Sequence, residues 1–284
     1  MTIAPETDIG TVRLTVADLA RSRDYYERAL GLPATEREDG TVALGVDPET
    51  PLIELTGDAA APPLSRRSTG LFHLAILLPS RADLAVALRR LAEARVPLDG
   101  ASDHLVSEAL YLHDPDRNGI EIYRDRAREH WPHVNGSLEM ATLPLDIDDV
   151  LTQLPPASDK HVLVPVGTRI GHVHLQVADL DAAEAFYAGV LGFDVTVKGY
   201  AGALFVSAGG YHHHIGLNTW NSRGAGPPPP GAIGMRSFEV TLPDAGELER
   251  ILERVREAGL EAEHSGDAVL VSDPSGNVVR LVAR

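Results

Sequence analysis

The chain repeats itself, and no other feature constrains its fold as strongly. Ile9-Gly10-Thr11-Val12-Arg13-Leu14-Thr15-Val16-Ala17-Asp18-Leu19 aligns without a gap on Ile170-Gly171-His172-Val173-His174-Leu175-Gln176-Val177-Ala178-Asp179-Leu180. The register holds further on, where Tyr26 meets Tyr187 and Leu30-Gly31-Leu32 meets Leu191-Gly192-Phe193. Later in each copy Leu78-Pro79 answers Leu242-Pro243. Asp114-Pro115-Asp116-Arg117-Asn118 likewise answers Asp273-Pro274-Ser275-Gly276-Asn277. Repetition on this scale means two homologous halves. We read residues 1–125 as the first half, 126–168 as a connecting segment rich in Pro and charge, and 169–284 as the second.

Each half divides again. Residues 12–16 alternate with period two, the pattern of a strand with one buried face. Asp18 and Asp179 can cap the helices that follow, in which Leu19, Tyr25, Tyr26 and Leu30 fall at helical spacing. Gly31 and Gly192 stand where those helices should end. Short strands are predicted over residues 41–46, 52–55, 203–207 and 213–218. A second unit follows, with a strand over 71–78, a helix over 82–94, and strands ending in 110–113 and 119–123. The Asp-Pro turns join those last strands tightly. Strand, helix and three strands occur four times, which defines an α+β fold of four βαβββ units.

Composition narrows the chemistry. Lys and Arg total 25 against 41 Asp and Glu, a net charge of −16. That balance argues against nucleic acid and anionic membrane as partners, because both require basic surface. No apolar run approaches the roughly 18 residues of a membrane span. The first residues, Met1-Thr2-Ile3-Ala4-Pro5-Glu6, lack the basic and apolar blocks of a signal peptide, so a cytoplasmic location is expected. Homo-oligomerisation is left open. There is no Cys, which removes disulfides, thiolate nucleophiles and Cys-bound zinc or iron–sulfur centres. His, carboxylate and hydroxyl remain, and the 12 His are unevenly spread, three of them consecutive at 212–214.

Three stretches carry a resemblance: Gly171-His172-Val173-His174-Leu175, the run from Gly210 through His212-His213-His214 to Trp220, and the run from Leu110-Tyr111 through Glu121 to Tyr123. In this order they make the chain resemble the vicinal oxygen chelate superfamily of glyoxalases, bleomycin- and fosfomycin-resistance proteins and extradiol dioxygenases. Its two-domain catechol 2,3-dioxygenase-like members are the nearest in pattern. The resemblance implies units paired into half-barrel cups, with metal ligands on the first and last strands. The first-strand positions here are Thr11, His73, His172 and Ser237, and the last-strand positions of units two and four are Glu121 and Arg280. Only units two and three together collect two His and one Glu. A crossed pairing is therefore expected, of units 2/3 and of units 1/4.

The resemblance further implies a metal held by His73, His172 and Glu121, with Fe(II) first and Mn(II) second among the candidates. Two imidazoles and a carboxylate on one face of the ion leave three positions open, enough for a diol and dioxygen. The expected substrates are a small aromatic diol and O2, placing the protein in aromatic catabolism. By the same resemblance His213 is the acid/base, Tyr111 a hydrogen-bond donor to a substrate oxygen, and His104 a further substrate-side His. His174 and His214 stand behind the ligands, with His174 on the same strand face as His172. Alternation along 212–214 would allow at most two of those His on one face. The second cup, with Thr11, Glu54, Ser237 and Arg280, reads as a duplicate that lost its metal, with a Glu54–Arg280 ion pair expected. His113, His130, His133, His161 and His264 carry no expected chemistry, and the 224–231 stretch reads as a stiff Pro-rich loop. Two other readings stay open: a glyoxalase-type isomerase or thiol transferase, and a non-catalytic protein that sequesters a ligand in the cup.

Overall fold

The computed structural model describes residues 2–65, 67–134, 136–156 and 163–284, and His161 lies outside them. Two mixed sheets carry nearly all the strands. The first has eight strands in the order Glu263–Ser265, Ala268–Ser272, Val278–Ala283, Gly234–Leu242, Asp8–Val16, Ile53–Gly57, Val42–Leu44 and Ala34–Glu36. The second has nine, in the order Leu143–Pro144, Gly100–Asp103, Ser107–His113, Gly119–Asp125, Gly70–Leu77, Arg169–Gln176, Ile215–Asn218, Ala203–Ser207 and Asp194–Lys198. At the centre of each sheet two first strands run antiparallel: Asp8–Val16 beside Gly234–Leu242, and Gly70–Leu77 beside Arg169–Gln176.

The local signals act as their chemistry dictates. Asp18 and Asp179 accept hydrogen bonds from the third residue beyond them, Arg21 N–H and Ala182 N–H, and so cap their helices. Gly31 closes the first helix with φ +70°, a left-handed conformation that suits glycine. Both of those helices are short α-helices that widen into a π-turn, Tyr26–Leu30 and Ala185–Val190. No residue spacing had marked that change. The helix Arg81–Glu93 buries Leu84, Ala85, Leu88 and Leu91 against the core. Among the described residues no helix is long and apolar enough to cross a membrane.

Two buried tyrosines fasten one sheet to the other. Tyr26, from the unit of the first sheet, donates to Asp114 at 3.0 Å. Tyr187, from the second, donates to Asp273 at 3.0 Å. Each aspartate also receives backbone and side-chain N–H groups of its own turn, from Asn118 and Asn277 respectively. Burial pushes both carboxyls up, and these hydrogen bonds replace the water that burial removes. The Asp-Pro turns are thus docking points as well as turns.

The segment 126–168 does more than connect. Leu143–Pro144 adds an edge strand beside Gly100–Asp103, and Met140, Ala141 and Thr142 line a cavity together with Tyr111 and His113. The Pro-rich loop packs back on the first half, where Thr69 N–H donates to Gly226 O at 3.2 Å and Ile233 N–H to Pro62 O at 2.9 Å.

Candidate metal centre

Strand register decides what meets at the centre of the nine-stranded sheet. Antiparallel pairing sets His174 against His73 and His172 against Ala75. Parallel pairing sets Ala75 against Glu121. Side chains two residues apart share a face, so His73, Glu121 and His172 converge on one point. His73 Nε2 lies 3.0 Å and His172 Nε2 3.1 Å from the same atom, Glu121 Oε2. All three residues are buried, and their ligand atoms lie within 4.8 Å of one another.

The donor set fits a divalent cation. His73 Nε2 is buried without a hydrogen-bond partner, although Glu121 is close, and an imidazole nitrogen not committed to a hydrogen bond suits coordination. Burial pushes His172 down to about 4, against the pull of Glu121, so the ring is neutral near pH 7. Burial opposes ionisation of Glu121, but His172 and His73 more than offset it and hold the carboxyl well below its usual range. Two imidazoles and one carboxylate are an N/O set suited to first-row divalent metals.

The triad lies beside a cavity of about 370 Å³ whose wall includes His73, Glu121, His104, Tyr111, His174 and His213. His213 stacks on His172 with ring centres 4.1 Å apart. His104 Nδ1 bonds Ala141 O at 2.7 Å and its Nε2 bonds the Tyr111 hydroxyl at 2.6 Å. A carbonyl accepts only, so Nδ1 is an N–H side of the ring and donates to Ala141 O. Burial, with Glu121 nearby, pushes the Tyr111 hydroxyl well above its ordinary value and keeps it neutral.

His174 and His214 make no hydrogen bond to the ligands. His174 Nε2 is buried and unpartnered, and its ring sits among Phe72, Phe205 and Trp220 on the cavity wall. Gly216 makes room for it, since a Cβ there would stand 2.9 Å from the ring. His214 Nδ1 accepts from Ala208 N–H at 3.1 Å and supports the 207–208 backbone. His172 is steadied by packing on His213 and Tyr123. Residues 212–214 precede the strand Ile215–Asn218, so alternation does not govern them and all three are buried. The sequence reading overlooked the aromatic wall of Phe72, Tyr200, Phe205 and Trp220, and the pair Asp125 and His212. Asp99 and His113, bonded at 2.5 Å, form part of the cavity wall. His130, His133 and His264 are exposed.

The expected Glu54–Arg280 pair does not form. Glu54 binds Arg37 at 2.9 Å, Arg236 at 3.0 Å and Arg13 at 3.6 Å, while the nearest acid to Arg280 is Asp267 at 3.8 Å. Register explains it: Glu54 stands opposite Arg13 and Arg280 opposite Glu239. The nearer guanidiniums take the carboxylate.

Fold and site together define a two-sheet βαβββ protein with a buried His/His/Glu cluster. The chain belongs to the Glyoxalase/Bleomycin resistance protein/Dioxygenase superfamily, whose family model matches residues 8–122 and 169–281. Among curated relatives it is 44% identical to the catechol-2,3-dioxygenase of Bacillus subtilis (strain 168), over 99% of both chains. Among solved structures, one from Bacillus subtilis subsp. subtilis str. 168 superposes with a TM-score of 0.65 at 16% identity, covering 100% of this chain and 86% of that one. Glyoxalase I from Zea mays superposes at 0.59 and 17% identity, covering 98% and 92%. At those identities the two structures speak for the fold alone.

Proposed function

We propose that this protein is an extradiol ring-cleaving dioxygenase that inserts both atoms of O2 into a catechol-type diol. The observation that carries the reading is the meeting of His73, His172 and Glu121 beside a cavity whose wall also carries His213, Tyr111 and His104. The 44% identity to a catechol-2,3-dioxygenase supports it. His73, His172 and Glu121 would hold a divalent ion, Fe(II) before Mn(II), which when bound supplies the redox chemistry that joins diol and dioxygen.

The chain's own groups do the rest. His213, buried on the cavity wall, takes a proton from a diol hydroxyl and returns it later in the turnover. Tyr111, neutral and already bonded to His104, turns its hydroxyl to a substrate oxygen while His104 holds it in place. Phe72, Phe205 and Trp220 flank the ring and exclude water. Among the described residues no Lys or Arg lines the cavity, so catechols with uncharged substituents fit and a carboxylated ring would enter without a counter-charge. A volume of about 370 Å³ leaves space for such substituents.

The test is anaerobic loading with Fe(II), proof that iron is bound, and then exposure to catechol and air. Oxygen uptake with a yellow ring-opened product is expected. Bound iron without oxygen uptake across several catechols retires the reading. An intact fold that retains no metal would point instead to ligand sequestration.

A further inference from the structure

A chain of three side chains runs from the end of the Gly119–Asp125 strand to the cavity. Asp125 Oδ1 lies 2.9 Å from His212 Nε2, and His212 Nδ1 lies 2.7 Å from His213 Nδ1. His213 is on the cavity wall. His212 is completely buried, and its ring is gripped by Tyr211 at 4.1 Å and Trp131 at 5.4 Å. Its backbone carbonyl accepts from Thr196 Oγ1 at 2.9 Å. Nothing in this arrangement leaves the ring free to turn.

Hydrogen-bond bookkeeping then decides where each proton sits. A carboxylate only accepts, so His212 Nε2 must be the N–H that points at Asp125. With its N–H given to Asp125, His212 presents Nδ1 to His213 as an acceptor. The short Nδ1–Nδ1 contact needs one proton between its two nitrogens, and only His213 can provide it. His213 Nδ1 is therefore the donor, and its Nε2 is left without a proton.

We infer that Asp125 and His212 are positioning residues that lock His213 in the tautomer whose bare Nε2 is the base for the substrate. The inference rests on the ring-cleavage reading only for what that base does; the tautomer itself belongs to the metal-free protein. One strand thus supplies both carboxylates of the site. Glu121 meets His73 and His172, and Asp125, four residues on and on the same strand face, sets the base.

The test is a long-range 1H–15N correlation spectrum of the metal-free protein labelled with 15N-His, with His213 assigned by the signals that disappear in His213→Phe. His213 is expected to show a protonated Nδ1 and a bare Nε2 at pH 7.5. A His213 protonated on Nε2, or on both nitrogens, overturns the inference. Asp125→Asn lets a side-chain N–H face His212 Nε2 and reverses the chain, so the His213 signals should move toward the Nε2–H form. In the iron-loaded enzyme the same variant should lose about 10- to 100-fold in kcat with catechol, at unchanged KM and iron content. Asp125→Glu should recover most of that loss. Wild-type tautomer and kcat in Asp125→Asn also overturn the inference. Iron-loaded wild type that takes up no oxygen would refute the ring-cleavage reading and leave the spectral result standing.

Discussion

The two sheets place their central residues by the same rule and fill the places differently. In the nine-stranded sheet the first-strand positions are His73 and His172, with Glu121 opposite Ala75 and Gly216 opposite His174. In the eight-stranded sheet the matching positions are Thr11 and Ser237, with Glu54 opposite Arg13 and Arg280 opposite Glu239. Glu54 thus occupies the place of Glu121. One carboxylate faces two imidazoles beside an open cavity, and the other is surrounded by Arg13, Arg37 and Arg236. All six buried His of the described residues lie on the nine-stranded side. Equivalent backbone therefore does not make equivalent sites. Small residues and neutral rings leave room and lone pairs, whereas long guanidiniums fill the space and occupy the carboxylate.

The sharpest way to break this contrast is to mutate matched positions. His172→Ala should lose bound iron, and turnover should drop on the order of 1,000-fold, with far-UV circular dichroism unchanged. Thr11→Ala and Ser237→Ala should keep iron and turnover at wild-type levels. Iron loss in either of them would give the second cup a role that its ion pairs argue against.

Acid should also discriminate between the sheets. Burial pushes His214 down to about 3, well below an ordinary His near 6.5, so the folded chain resists a proton that the unfolded chain accepts. Stability is full above about pH 6.5 and falls as pH drops toward 3, by about 1.4 kcal/mol per pH unit for this one group. His172, at about 4, adds the same sign in the metal-free protein. Urea unfolding at pH 7, 6 and 5 measures the slope, and His214→Gln should flatten it by about one proton. An unchanged slope in that variant would remove His214 from the account.

Smaller effects follow on the other side. Glu54→Gln leaves three guanidiniums around a neutral amide. It should cost about 2 kcal/mol in urea unfolding, below the usual loss for a buried pair because Arg37 and Arg236 reach solvent, while iron content stays the same. Tyr111→Phe should keep iron and lose about 10-fold in kcat, since one hydrogen bond and the anchor of His104 disappear together. A larger loss in KM than in kcat would make Tyr111 a binding group instead.

Much of the fold was legible because its signals are local. The duplication, the caps Asp18 and Asp179, the stop at Gly31 and the Asp-Pro turns each depend on neighbouring residues only. His73, Glu121 and His172 could be singled out because a repeat supplies its own internal comparison, in which Thr11 and Ser237 show what the position looks like without a His. The partners of Glu54 were not legible, because Arg37 and Arg236 come from other strands, and pairing across a sheet carries no mark in the linear order. The same holds for His212, whose proton is directed by Asp125, 87 residues away. Alternation does not decide residues 212–214, because it applies only within a strand and those residues lie before one begins.

The sequence by itself determined the repeated unit, the absence of thiol chemistry and the stock of His and carboxylate from which a site could be built. Tertiary structure alone decided which strands lie side by side, hence which carboxylate meets two imidazoles and which meets three guanidiniums. Hydrogen-bond register acts over ångströms while sequence separation runs to many tens of residues, so the chemistry of each cup is settled only when the sheets close.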